Sequence, residues 1–308
     1  MTRLGRSAGP IAISPAAAVA AFVLAWLLLP AASGVLERAG LSRPNHRGRP
    51  VAKGGGLAIL LASLTITAIP GLPGLMGRTH IPGIPGVADL YAFLFGSTLV
   101  GLIGLLDDVA SDRTARGISG HLREFGSGRV TTGVLKLLFI AFAAVTVGST
   151  AAGFSGGVNP YLGSSWLSLT AAVNAVIIAG TANLINLLDL RPGRALKAFL
   201  ILGLIYLGLT RWPEHGYFLA APLGAAVAVL PADLGELTRL GDVGANFLGF
   251  TVGAVVAFDF PLAPKLIFMG LIVSANVAAE RVSLGSIIEN NALGRFFDRL
   301  GRPPEERP

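Results

Sequence analysis

Cysteine is absent from the 308 residues. That excludes disulfides, thiol nucleophiles and cysteine-ligated metals, and leaves the redox compartment open. Charge is scarce as well. Asp, Glu, Lys and Arg make up 13% of the chain against 53% hydrophobic residues, too little to clothe an ordinary soluble domain. No soluble domain, internal repeat or heptad pattern is legible. The chain instead carries apolar runs near or above about eighteen residues along nearly its whole length.

These runs predict an all-α, polytopic helical membrane protein with about nine transmembrane helices in a single domain. They lie at approximately 11–36, 54–72, 88–106, 130–149, 165–187, 195–211, 217–232, 246–261 and 263–280. Glycine and proline within them do not argue against helix, because small residues let membrane helices approach closely and neighbours re-satisfy the backbone. The first run follows Arg3 and Arg6 and contains Pro30-Ala31-Ala32-Ser33, like a signal peptide with its cleavage site. It is too long for a typical signal core and leads straight into a basic loop, so it reads as the first span.

Nine spans put the termini on opposite sides and divide the loops into two sets. One set holds 18 Lys and Arg, the other 5, with Lys136 left inside a span. The positive-inside rule places the richer set in the cytoplasm, the N-terminus outside and the C-terminus inside. The net charge of +7 is explained by these topogenic segments, so nucleic acid is not implied. The loops of the opposite side are turn-rich, such as Ile81-Pro82-Gly83-Ile84-Pro85-Gly86, and read as structure.

Four polar clusters lie on the basic side. The first, Ser42 to Gly56, contains Asn45, Arg47, Lys53 and Gly54-Gly55-Gly56. Arginine forks and a lysine can hold phosphate oxygens, and glycines let a backbone come close; the alternative is a basic segment drawn to anionic lipids. The second is Asp107-Asp108 at the end of an apolar helix. One aspartate at mid-bilayer costs about 2.5–3.5 kcal/mol, so an adjacent pair calls for a cation, water or chemistry. Mg2+, with Mn2+ as its substitute, suits carboxylates that leave room for phosphate oxygens. Lys136, in the next helix, either finds an anionic partner or snorkels to the interface.

The third cluster spaces Asn183, Asn186 and Asp189 by three along one helical stripe, either converging on a cavity or gluing helices together. The fourth is Gly241-Asp242-Val243-Gly244 at a helix start, where Asp242 is either an N-cap or a metal ligand. Beyond Arg281 the chain reads as an amphipathic surface helix on the inner face, residues 281–308.

In order and spacing, the four clusters resemble the polyprenyl-phosphate N-acetylhexosamine-1-phosphate transferases over about residues 40–255. Pro50-Val51-Ala52-Lys53-Gly54-Gly55 is similar to the family's proline-to-double-glycine segment, and Asp107-Asp108 to its acidic pair. Asn183, Asn186 and Asp189 are similar to its Asn-x-x-Asn-x-x-Asp run, and Gly241-Asp242-Val243-Gly244 to its Gly-Asp-x-Gly motif.

The resemblance implies a bacterial plasma-membrane enzyme with a cytoplasmic site. It would transfer a sugar 1-phosphate from a nucleotide-diphosphate sugar, UDP-linked in the family, to a polyprenyl phosphate for cell-envelope synthesis. Catalytic Asp107, Asp108 and Asp242 would also be the Mg2+ ligands. Lys53, Asn45, Arg47, Lys136, Asn183, Asn186, Asp189, Arg191 and Arg194 would bind substrate, and family members are often homodimers.

Two departures stand out. The family's Asp-Gly-x-Asp-Gly becomes Asp189-Leu190-Arg191-Pro192-Gly193-Arg194, which loses one acid and gains two arginines. Its late histidine cluster is missing, since the histidines here are His46, His80, His121 and His215. These losses suit an altered donor or, alternatively, a non-catalytic relative that binds lipid phosphate or regulates a cell-wall enzyme. A transporter is the third reading, disfavoured because the polar groups gather at helix mouths rather than mid-helix.

Overall fold

The computed structural model describes residues 13–44, 48–69, 85–110, 124, 126, 131–153, 164–211, 213–281 and 284–302. Among these, nine apolar helices form one bundle: α1 (Ile13–Arg38), α2 (Gly54–Ala68), α3 (Val87–Ala110), α4 (Thr132–Ala151), α5 (Ser164–Leu188), α6 (Arg194–Thr210), α7 (Tyr217–Leu234), α8 (Gly241–Asp259) and α9 (Leu262–Arg281). Seven are long and apolar enough to cross a membrane. The shorter two are α2, of 15 residues, and α6, of 17. An all-α membrane architecture is therefore present.

Helix α8 is the axis of the bundle, and α2, α3, α5 and α7 all touch it. Every residue from Val243 to Ala257 is buried. Small residues make this possible. A Cβ on Gly249 would lie 2.4 Å from the Thr181 carbonyl oxygen, and one on Gly253 would lie 2.6 Å from Ile178 Cα. Backbones thus meet where larger side chains would hold them apart. The outer helices present apolar side chains away from the protein, including Trp26 and Leu27 on α1 and Ile267 and Leu271 on α9. Lipid is the phase that suits those faces.

Two features differ from the sequence expectation. The first basic loop contains a ribbon, β1 (Ser42–Pro44) paired antiparallel with β2 (Pro50–Ala52), with Arg43 opposite Val51. Three-residue strands leave no readable period, and Pro44 and Pro50, paired at the loop end of the ladder, cannot donate hydrogen bonds. The C-terminal segment is two short helices, α10 (Leu284–Asn290) and α11 (Ala292–Arg299), rather than one.

The end of the bundle remote from Asp107 and Asp242 carries a polar cluster built from helix termini. His215 Nδ1 lies 2.7 Å from Asp259 Oδ1 at the end of α8, and Nε2 lies 3.2 Å from Asp89 Oδ2 at the start of α3. Tyr206 of α6 donates to the other Asp259 oxygen. The imidazole stacks on Phe258 at 4.5 Å. Both ring nitrogens face carboxylates, an arrangement satisfied when both carry protons. His215→Ala leaves two carboxylates without this partner. It should cost about 2–3 kcal/mol, below the 3–5 of a fully buried pair because water still reaches the cluster. Thermal unfolding in detergent measures the loss, and an unchanged midpoint would show that the cluster contributes nothing.

Candidate functional site

The site is assembled around the first turn of α8, whose N–H groups have no partners within the helix and form its positive end. Carboxylates from two other helix ends take them up. Gly241 N–H donates to Asp189 Oδ2 at 3.0 Å, Asp242 N–H to Asp108 Oδ1 at 3.1 Å and Val243 N–H to Asp108 Oδ2 at 3.2 Å. Asp108 also accepts from Lys53 Nζ at 2.5 Å. Both of its oxygens are therefore committed, and it ties α3 and the Lys53 segment to α8. With three of its about four acceptor sites filled, Asp108 has little left to offer the metal expected of it. Nor is Asp242 the cap of its own helix, because the capping carboxylates come from Asp108 and Asp189.

Asp107 and the Asp242 side chain converge on Lys136. Its ammonium lies 2.9 Å from Asp107 Oδ2 and 3.5 Å from Asp242 Oδ2. The Asn186 amide closes the cluster. Oriented by its hydrogen-bond network, its nitrogen donates to Asp242 Oδ1 at 2.7 Å and its oxygen accepts from Lys136 Nζ at 3.1 Å. Lys136 therefore does not snorkel; it joins α3, α4, α5 and α8 through one cation. No group of three or more His, Asp or Glu side chains arranged to hold a metal occurs among the described residues. Two carboxylates facing one cation are nevertheless a donor set of hard oxygens. Mg2+ is often held by one or two carboxylates, with water and phosphate completing its shell.

The expected polar stripe on α5 divides. Asn186 and Asp189 reach the site, whereas Asn183 donates to Asn276 Oδ1 of α9 at 2.6 Å. Asn183 is thus helix glue. Asn276 in turn donates to the Gly180 and Ile272 carbonyls. The three glycines of the first cluster also serve packing rather than phosphate approach. A Cβ on Gly54 would lie 2.3 Å from Ser33 Oγ, and one on Gly56 would lie 2.1 Å from the Leu240 carbonyl oxygen. Gly55 N–H donates to Thr238 Oγ1 and the Arg239 carbonyl. Asn45 and Arg47 lie outside the described residues.

Beside the carboxylates is a cavity of about 230 Å3, lined by Asp189, Arg191, Asp233, Glu236, Thr238 and Arg239 among others. Burial first, then the neighbouring Asp233 charge, push the Asp189 carboxyl well above its ordinary value despite Arg239 and Lys53. This favours the protonated form, which can donate a hydrogen bond as well as accept one. Asp233 fixes the cavity wall by accepting the Gly193 N–H at 2.6 Å. Sequence reasoning missed Asp233, Thr238 and Arg239. Its signal would have been an acid near the end of an apolar run, opposite the Pro-Gly turn that follows Asp189.

Of the two arginines added after Asp189, Arg191 lines the cavity and pairs with Glu289 at 3.1 Å. Arg194 does not reach the cleft. It is buried, its Nε 2.8 Å from Asp298 Oδ1, and Arg302 reaches the same oxygen at 2.8 Å. Lys197 donates to the carbonyls of Phe297, Asp298 and Leu300. Burial raises the Asp298 carboxyl, but the Arg194 hydrogen bond and the charges of Arg302, Arg194 and Lys197 outweigh it and lower the pKa overall. A depressed carboxylate contributes stability that is present above its ordinary value of 3.8 and lost as pH falls through the lowered one. Hydrogen exchange at residues 292–299 should therefore accelerate as pH drops below that ordinary value, after correction for intrinsic rates. Asp298→Asn should show the faster exchange at neutral pH.

No family model matches the chain, and neither does any curated protein. The geometry and the order of the four clusters therefore carry the functional reading.

Proposed function

We propose that this chain transfers a sugar 1-phosphate from a nucleotide-diphosphate sugar to a polyprenyl phosphate. The observation that carries the reading is the convergence of Asp107, Asp242 and Asn186 on Lys136, with Lys53 and Asp108 beside them, at one end of a membrane bundle. Phosphoryl transfer asks mainly for positioning and for charges that stabilise the migrating negative charge. A lipid oxygen would bond to the sugar-bearing phosphorus, and the bond from that phosphorus to the bridging oxygen would break, releasing a nucleoside monophosphate. Lys136 and Lys53 would face the phosphates, and Asp107 would hold the position of base or nucleophile. Asp108 would position α8 rather than react. Asp242 and Asp107 would hold a Mg2+ ion, which when bound neutralises diphosphate charge. Asp189, Arg191 and Arg239 would border the nucleotide end of the donor.

The second reading is a non-catalytic protein that binds lipid phosphate. It is favoured by the lysines themselves, since Lys53 and Lys136 already neutralise the acids they touch. The two readings separate on nucleoside monophosphate release by purified protein given undecaprenyl phosphate, Mg2+ and UDP-, CDP- or GDP-linked sugars. Release that requires the lipid supports transfer. Lipid binding without release, across all donors, supports the second reading.

A further inference from the structure

Helix α11 is amphipathic in the reverse sense to a soluble surface helix. Its face toward the bundle is polar: Asp298 meets Arg194 and Arg302, and Lys197 caps the last carbonyls. Its outward face is apolar, with Phe296, Phe297 and, just past its last residue, Leu300 exposed by 60%, 43% and 50%. The two phenyl rings meet edge to face at 5.6 Å. A helix of eight residues is too short to persist in water on its own propensity, and water is the wrong phase for this outward face.

Three observations identify the phase that suits it. The helix docks beside the first turn of α6, whose exposed Ile201, Leu204 and Ile205 continue the apolar surface along the bundle. Phe and Leu are the residues that an amphipathic helix lying in the interfacial plane turns toward the acyl boundary. Arg299 and Arg295 stand exposed on the same short helix; Arg295 Nη1 donates to the Glu289 carbonyl at 2.7 Å, and an anionic headgroup would complement the remaining guanidinium donors.

We propose that α11 is a membrane foot, seating Phe296, Phe297 and Leu300 in the interfacial layer of a bilayer rich in anionic lipid, with Arg295 and Arg299 against the headgroups. Its polar face carries the consequence inward. Arg302 Nε donates to the Pro192 carbonyl at 3.1 Å, and Pro192 lines the cavity with Asp189 and Arg191. The foot thus braces the turn that forms one cavity wall, whatever the cavity binds.

The chain's lack of cysteine makes the test direct. Phe296→Cys and Leu300→Cys, each in the full chain, are labelled with an environment-sensitive fluorophore and placed in nanodiscs of phosphatidylcholine with or without phosphatidylglycerol. The expected result is a blue-shifted emission, quenched several-fold more by a lipid-borne spin label near the headgroup than by aqueous iodide. The effect should strengthen with phosphatidylglycerol and lose that dependence in Arg295→Gln/Arg299→Gln. Equal iodide quenching in both lipids would overturn the proposal. So would a disulfide between the Leu300→Cys positions of two chains in the same disc, which would assign the face to a second copy.

Discussion

Asp242→Asn should leave a folded protein that has lost sugar-phosphate transfer by about a thousandfold or more, the scale of removing one charge-stabilising group from a transition state. Stability should hold because the Asp242 backbone N–H, not its side chain, joins α8 to Asp108. The substituted amide can still meet Asn186, and Lys136 keeps its 2.9 Å contact to Asp107. What disappears is one of the two carboxylates that face the same cation, and with it, on the proposed function, the means to hold a divalent ion against a diphosphate. Rate and unfolding midpoint measured on the same preparation check both halves. Undiminished transfer would remove Asp242 from the chemistry, while a collapse in the midpoint would make its role structural.

Gly56→Ala should do the opposite, destroying the fold before any chemistry can be read. A methyl group there would lie 2.1 Å from the Leu240 carbonyl oxygen and 2.5 Å from the Gly244 nitrogen. Both neighbours are backbone and cannot rotate away, so α2 and α8 must separate. The expected cost is about 4 kcal/mol or more, beyond ordinary overpacking. The separation would also pull Lys53 from Asp108, because Lys53 immediately precedes α2. Thermal unfolding in detergent should show a midpoint far below the parent's, or no cooperative transition. Gly241 is a milder case at the same mouth. Its φ of +67° suits glycine, and a Cβ would press on Asp108 Oδ2 at 2.7 Å.

The helices were legible because a bilayer demands long apolar runs; each expected run is a helix, and seven of the nine are long and apolar enough to cross a membrane. The carboxylates were legible as well, since acids at apolar helix mouths are costly unless compensated. Their partners were not. Lys136 lies 29 residues from Asp107 and Asn276 lies 93 from Asn183, and periodicity along one helix carries no information about such pairings. The same spacing of three sent Asn186 to the site and Asn183 to a neighbouring helix, because helix packing decides which way each side chain faces. The glycine cluster was misjudged for a related reason. Glycines near phosphate and glycines at a helix crossing read identically, and only the 2.1 Å approach at Gly56 separates them. The His215 cluster escaped notice because its members, Asp89, Tyr206, His215 and Asp259, come from four separate helix ends.

The most direct test of the central claim is mass spectrometry of the lipid fraction after purified protein is incubated with undecaprenyl phosphate, Mg2+ and a panel of nucleotide-diphosphate sugars. The account predicts a lipid heavier by one sugar phosphate, formed in equal amount with a nucleoside monophosphate and absent with Asp242→Asn. An unchanged lipid mass across the panel, from folded protein that binds the lipid phosphate, would contradict it.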